Sequence, residues 1–290
     1  MKFAKRLMAV VLLVLMMIPT ASAQQSESGW WNVLLLGGDS RSLDDYERTD
    51  TMIVLSINRD EGLMKMTSIM RDTWVQITSK KEEKINAANV YGGPELAVKV
   101  VNNAFGLDIE DYILINMNGF VELIDMLGGV DLEISESERD YANSYARDYI
   151  RNVAEYEGKT QLEETEFGQV HLNGLLAVAF LRNRYTDSDY GRVMRQQEVL
   201  IAASAQAQNM ELDELMMLSD DIRGLIDTNM TDEELKEIAM AGLIVEAEEV
   251  GQFRVPAEGA YESGNFGGIW MIRPDLKKNR KLLNAFIYGD

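Results

Sequence analysis

The chain has 290 residues, a formal net charge of −20, one histidine and no cysteine. Without cysteine there are no disulfides, no thiol nucleophile, no Cys-based metal site and no lipid-modified N-terminal cysteine. A surface this acidic repels nucleic acid and anionic headgroups unless its few cations are grouped, so their grouping is informative.

Residues 1–23 have the layout of an export signal. Lys2, Lys5 and Arg6 form a basic start, Leu7–Ile18 is apolar, Pro19 breaks the run, and Ala21-Ser22-Ala23 offers a small-residue cleavage site. The apolar run is short for a spanning helix, which needs about 20 residues. The expected state is a cleaved signal peptide. An uncleaved anchor on the outer membrane face is the alternative. Residues 24–29 read as a flexible linker and 30–290 as a single domain.

Strands and helices then alternate. Asn32–Leu36, Thr51–Ile57 and Leu63–Ile69 are short apolar or alternating runs that predict strands. Gly92-Gly93-Pro94 opens a helix to Phe105, with Pro94 in the first turn, where a missing N–H is harmless. Tyr112–Met117 predicts a strand, Asn118 caps a helix to Leu127, and Val130–Ile134 predicts the next strand. Residues 135–168 lack a long apolar stripe and read as a polar excursion or polar helix. Helices are expected near 172–182, 191–208, 211–227 and 232–246. Thr231 and Glu234 form a capping box for the last of these. Strands near Phe253–Val255 and Ile269–Ile272 and a helix from Asp275 to Phe286 complete the chain. This order predicts an α/β fold with a mixed central sheet covered by helices on both faces, an α-β-α sandwich.

Two kinds of residue could carry chemistry. Asp39 follows the first strand and Asp50 opens the second. Carboxylates at adjacent strand ends can share a hard divalent cation, Mg2+ or Mn2+. Aspartates in loops also cap turns, and these residues alone do not decide between the two. Arg71 ends the third strand, as a phosphate ligand or a structural ion pair. Arg182, Arg184, Arg192 and Arg195 cluster within one stretch, with Gln196 one turn beyond Arg192. Four arginines, rather than lysines, suit forked recognition of phosphate. Pairing with surrounding acids is the alternative. His171 precedes an apolar helix and reads as a surface residue. Stripes containing Met210, Leu215, Met216, Met217, Leu218, Met240, Leu243 and Ile244 read as core, or as walls for a flexible lipid tail.

Seven segments, taken in order, resemble the LytR–CpsA–Psr family: NVLLLGGDSR (32–41), RTDTMIVLSIN (48–58), SIMRDTWVQI (68–77), KINAANVYGGPELAVKVV (84–101), DYILINMNGFVELIDMLGGVDLEI (111–134), LRNRY (181–185) and DYGRVMRQQ (189–197). TNM at 228–230 and the closing FIYGD fit as well. The resemblance implies an extracytoplasmic, magnesium-dependent phosphotransferase, free or tethered at the outer membrane face. Such an enzyme moves a glycopolymer, such as teichoic acid or capsule, from an undecaprenyl-pyrophosphate carrier to N-acetylmuramic acid of peptidoglycan. By resemblance, Asp39 and Asp50 are the metal-associated aspartates. Arg71, Arg182, Arg184, Arg192 and Gln196 hold pyrophosphate, and Arg41 belongs to the first motif. Asp189 or Asp72 would be the base. A polyprenyl-pyrophosphate hydrolase and a non-catalytic lipid-phosphate-binding regulator are the alternatives. Three features depart from the family: a cleavable-looking signal in place of an anchor, Met70 where proline is usual, and the 135–168 region.

Overall fold

The central feature is a six-stranded mixed sheet in the order β10 (Gly251–Val255), β3 (Leu63–Ile69), β2 (Thr49–Asn58), β1 (Trp30–Gly38), β6 (Asp111–Ile115) and β9 (Ile226–Thr228). The structure is a computed structural model describing residues 29–40, 46–152, 156–183, 189–245 and 249–289. The signal segment 1–23, nearly all of the 24–29 linker, Arg41, Arg184 and the Asp189 side chain lie outside the described residues. Among the described residues, no helix is long and apolar enough to cross a membrane.

β1 (Trp30–Gly38), β2 (Thr49–Asn58) and β3 (Leu63–Ile69) form an antiparallel meander. β6 (Asp111–Ile115) runs parallel to β1, β9 (Ile226–Thr228) antiparallel to β6, and β10 (Gly251–Val255) parallel to β3. Alternation along the central strands sorts two cores, as a period of two requires. Leu34, Leu36, Met52 and Val54 face α1 (Ala88–Phe105) and α8 (Leu276–Tyr288). Ile53, Leu55 and Ile57 face α5 (Asp189–Asn209) and α7 (Asp232–Ile244). Helices therefore cover both faces, as expected. A third core joins α2 (Met117–Met126), α3 (Glu136–Asn152) and α4 (Gly174–Leu181) to a hairpin of β7 (Val130–Ile134) and β8 (Gly168–Leu172).

Several expectations shift in detail. α1 breaks at Gly92 and Gly93, and Gly93 takes φ 69°, a left-handed value suited to glycine. The cap of α2 is Asn116, whose side chain accepts from the Gly119 N–H, rather than Asn118. The 135–168 region contains α3, which buries Ala142, Ala146 and Tyr149 against α4. Hairpin β4–β5 (Trp74–Thr78, Lys81–Lys84) was not anticipated, and of hairpin β11–β12 (Tyr261–Phe266, Ile269–Pro274) only the second strand was. The capping box of α7 forms as read, Thr231 and Glu234 each accepting from the other's backbone N–H.

Among the described residues, the methionine-rich stripes are not fully buried. They fall just before and along α6 (Leu212–Gly224) and on α7: Met210, Leu215, Leu218 and Met240 are half-buried and Met217 is 72% exposed, while the side chains of Met216, Leu243 and Ile244 lie outside the described residues. These helices lie at the periphery, with one covered side each.

Candidate active site

Three neighbouring strands deliver the acidic and basic residues to one edge of the sheet. β1 ends at Gly38, next to Thr49 of β2, with a register break between Gly37 and Gly38. A Cβ on Gly37 would stand 2.9 Å from that of Thr51, so bare backbone permits this approach. Asp39 follows directly, Asp50 lies beside it on β2, and Arg71 lies two residues past the end of β3. Asp50 accepts from Arg71 Nη1 at 2.6 and 2.7 Å. Asp39 accepts from Arg182 Nη1. Arg182 is the C-cap of α4, where a cation is favoured by the helix dipole.

α5 closes the site from the other side. Arg192, Gln196 and Leu200 recur every four residues on one face, and all three line a single cavity. Gln196 Nε2 donates to the Asp50 carbonyl at 3.4 Å. Arg192 is buried, one turn inside the helix rather than at its start. Arg195 points elsewhere: it donates to Glu138 at 3.2 Å and to the Asn183 carbonyl at 2.8 Å, bracing α3 against α5.

The cavity runs from this polar mouth between β1, β6, α2, α4 and α5. Its empty volume is about 1030 Å3, part of it open to solvent. Asp50, Arg182, Arg192 and Gln196 stand at one end, while Leu35, Ile113, Ile115, Phe120, Leu181 and Leu200 line the rest. Of the described methionines read as lipid walls, Met210, Met217 and Met240, none lines it. The methionine that does is Met117 of α2.

Supporting residues that sequence reasoning missed come from α3. Tyr141, Tyr145 and Tyr149 stack at i, i+4 spacing, with centroids 6.3 and 6.4 Å apart. Arg182 lies 5.7 Å from the Tyr145 ring centre, a cation–π contact. Burial, aided by the Asp39 charge and opposed by Arg182, pushes the Tyr145 hydroxyl up to about 12, so it stays neutral. For Arg182, burial opposes its charge, but the Asp39 bond and the nearby carboxylates outweigh this and raise its pKa. The three-tyrosine, two-alanine spacing was the available signal for a helix here.

Asp72 does not suit the role of base. Lys84 Nζ sits 2.5 Å from one of its oxygens and Arg71 Nε 3.4 Å from the other. Its charge is already shared by two cations, so it positions Arg71. Met70 helps in the same way: its N–H donates to the Val255 carbonyl at 2.8 Å, a bond that proline could not make. His171 sits on β8, bonded to Asp131 and the Gly128 carbonyl on an exposed surface, as read.

Arg48, just ahead of Asp50, is held by Glu83 and by Asn86 at 3.1 Å. Burial alone would raise the Glu83 pKa, but bonds from Tyr91, Arg48 and Lys81 hold it at about 2, against an ordinary 4.5. A depressed carboxylate stabilises the fold above its unfolded pKa, and that stability is lost as pH falls through the folded value. Glu83→Gln is therefore expected to destabilise the protein at pH 7 by about 1 kcal/mol, a figure discounted because Arg48 and Lys81 are exposed. In urea melts the difference from wild type should shrink between pH 4.5 and about 2. A difference constant across that window would refute the assignment.

Gly174 starts α4 against the backbone of α2. A Cβ there would collide with the Val121 carbonyl. The Gly174 N–H donates to Asp125 at 2.7 Å. Gly174→Ala must move α4, which carries Arg182, and such overpacking typically destabilises by about 1–3 kcal/mol. A thermal midpoint equal to wild type would show that the contact yields freely.

Fold and site together define an α/β domain with an arginine- and aspartate-lined mouth opening into an apolar cavity. The chain matches the LytR_cpsA_psr family over residues 17–285 and belongs to it. It is 39% identical over 184 residues to the polyisoprenyl-teichoic acid–peptidoglycan teichoic acid transferase TagU of Oceanobacillus iheyensis, covering 61% of this chain and 51% of that one. The chain spans about half the length of the curated relatives it matches. In fold it is similar to TagT bound to LIIa-WTA, with TM-score 0.71, 22% identity and 94% and 95% of the two chains covered. It is also similar to TagT with bound octaprenyl pyrophosphate lipid, with TM-score 0.66, 21% identity and the same coverage.

Proposed function

We propose that this protein is a phosphotransferase that moves a glycopolymer from a polyprenyl-pyrophosphate carrier, undecaprenyl in the cell, to the N-acetylmuramic acid of peptidoglycan. The observation that carries the reading is the cavity, cationic and hydrogen-bonding at one end and apolar along its length. That polarity suits a pyrophosphate with a long hydrocarbon tail. The relatives are named for polyisoprenyl-linked teichoic acid transfer, and one structure of similar fold holds a prenyl pyrophosphate. In this reading the domain works outside the cytoplasmic membrane, where donor and acceptor meet.

Arg71, Arg182 and Arg192 bind the pyrophosphate oxygens, and Gln196 orients them. The acceptor hydroxyl attacks the phosphorus on the glycopolymer side. A new P–O bond forms, the bridging P–O bond breaks, the hydroxyl proton passes to solvent, and prenyl monophosphate leaves with the bridging oxygen. Fixed guanidinium groups stabilise the charge that builds on the equatorial oxygens, the main source of rate in phosphoryl transfer. Arg71 pairs with Asp50 and Arg182 with Asp39. Pyrophosphate takes over those bonds and releases both carboxylates.

Two adjacent carboxylates beside a pyrophosphate form an all-oxygen donor set, which fits Mg2+ or Mn2+. Asp39 and Asp50 would hold the ion, and it would supply charge neutralisation for the leaving phosphate.

The test is incubation with magnesium, a prenyl-pyrophosphate-linked saccharide and peptidoglycan oligomers, followed by mass spectrometry. A phosphodiester-linked product is expected. Prenyl phosphate released without acceptor would make the protein a hydrolase, and tight lipid-phosphate binding without turnover would make it a binding regulator.

A further inference from the structure

The β11–β12 hairpin presents apolar side chains to solvent in a very acidic protein. Residues 263–272 contain no charged side chain. Ile269 is 48% exposed and Trp270 52%, both just past the Gly267-Gly268 turn at the start of β12. Immediately after them the charge reverses. Residues 273–281 carry Arg273, Lys277, Lys278, Arg280 and Lys281 against Asp275 alone, a local +4 in a chain of −20.

These cations are on the surface. α8 turns Asn279, Leu283 and Ile287 inward and leaves Lys277, Lys278, Arg280 and Lys281 exposed. Lys277 and Lys278 occupy its first turn, where the helix dipole disfavours positive charge. Arg273 lies 3.9 Å over the Phe266 ring, which joins the cationic and apolar parts directly.

The hairpin is also fixed to the mouth of the site. Ile272 N–H donates to the Asp72 carbonyl at 3.0 Å, and Thr73 bridges to Ile272. Asp72 neighbours Arg71, whose partner Asp50 stands at the cavity mouth.

We infer that the hairpin tip and the basic start of α8 form a docking surface for an anionic bilayer. Tryptophan and aliphatic side chains enter the headgroup boundary, and lysines and arginines meet anionic lipid phosphates. The chain as a whole carries −20, so the same lipids favour this face over its acidic remainder and help to orient the molecule. Docking holds the mouth near the bilayer, and a lipid-borne substrate can enter without its tail crossing water. The surface goes beyond the proposed transfer and does not depend on which phosphate the cavity holds.

The absence of cysteine allows site-specific probes. Full-length Asn265→Cys carries an NBD group beside the turn, and Asp148→Cys carries one on α3 as reference. Each is mixed with vesicles of phosphatidylcholine alone, or of phosphatidylcholine with phosphatidylglycerol. A local probe reads hairpin contact even where the N-terminal segment tethers the chain. Blue-shifted emission, quenched by spin-labelled headgroups, is expected at position 265 only with phosphatidylglycerol, and position 148 should stay unchanged. Lys277→Glu with Lys281→Glu should lower the docked fraction about tenfold or more, and Ile269→Ser with Trp270→Ser should abolish the shift. An unshifted probe, a shift equal on neutral vesicles, or one that survives charge reversal overturns the inference. A shift caused by soluble peptidoglycan oligomers instead would make the hairpin a glycan platform. The vesicles contain no prenyl phosphate, so this failure is distinct from failure of the transferase assay, run in detergent.

Discussion

Arg71→Ala is expected to lower kcat/KM for the lipid-linked donor by about 10³, on the scale of removing one group that stabilises a developing oxyanion. The variant loses a forked donor and also changes the sign of the site. Arg71 spans both oxygens of Asp50 and contacts Asp72. Without it, two carboxylates face the incoming pyrophosphate, one of them at the cavity mouth. Arg71→Lys should recover only part of the loss, since a point charge cannot reproduce the fork. Asp50→Ala combined with Arg71→Ala should bind the lipid pyrophosphate more tightly than Arg71→Ala alone, because the unpaired charge is gone. Steady-state kinetics with calorimetric binding of a prenyl phosphate separates these terms. Turnover within a few-fold of wild type in Arg71→Ala would remove this residue from the site.

Much of that site could be read from sequence because its polar half is local. Gly37-Gly38-Asp39 follows an unmistakable buried strand, and Asp50 and Arg71 sit at the ends of the next two. Arg182 fell correctly at the end of an apolar helix. By spacing alone Arg195 did not separate from Arg192, because three residues on a helix is close to one turn; only the family resemblance left Arg195 out of the pyrophosphate set. Glu138, Arg195's partner, lies on α3, whose mean polarity hid a helix that buries Ala142, Ala146 and Tyr149 beside the polar Arg139 and Asn143. Strands β5 and β11 were faint for a related reason: none of their side chains is fully buried, so the alternation that marks a strand is weak. The apolar cavity was the least legible part. Its walls come from β1, β6, α2, α4 and α5, separated by up to most of the chain, and each contributes one or two ordinary aliphatic residues. Methionine-rich stripes were a louder signal and a misleading one. Composition marks a helix as greasy without saying whether its outer side is covered.

Leu200→Glu is expected to separate donors by tail length. Leu200 lies two turns below Arg192 on α5, past Gln196 and inside the apolar part of the cavity. In the free protein the new carboxylate can be hydrated, since the cavity is partly open, so the thermal midpoint should fall only a few degrees. A long prenyl tail would bury that charge against hydrocarbon, which costs several kcal/mol even after relaxation. The KM for long-chain donors should therefore rise by about 10² to 10³ with kcat little changed. A donor with one or two isoprene units, too short to reach position 200, should change less than about tenfold. Each buried methylene is worth about 0.8 kcal/mol, so wild type should favour long tails steeply and the variant should flatten that preference. The two halves of the cavity then give opposite signatures, Arg71 acting on every donor and Leu200 on long ones alone. Equal losses for short and long donors would mean that the tail lies outside this cavity, and that its apolar walls serve only to hold α5 against the sheet.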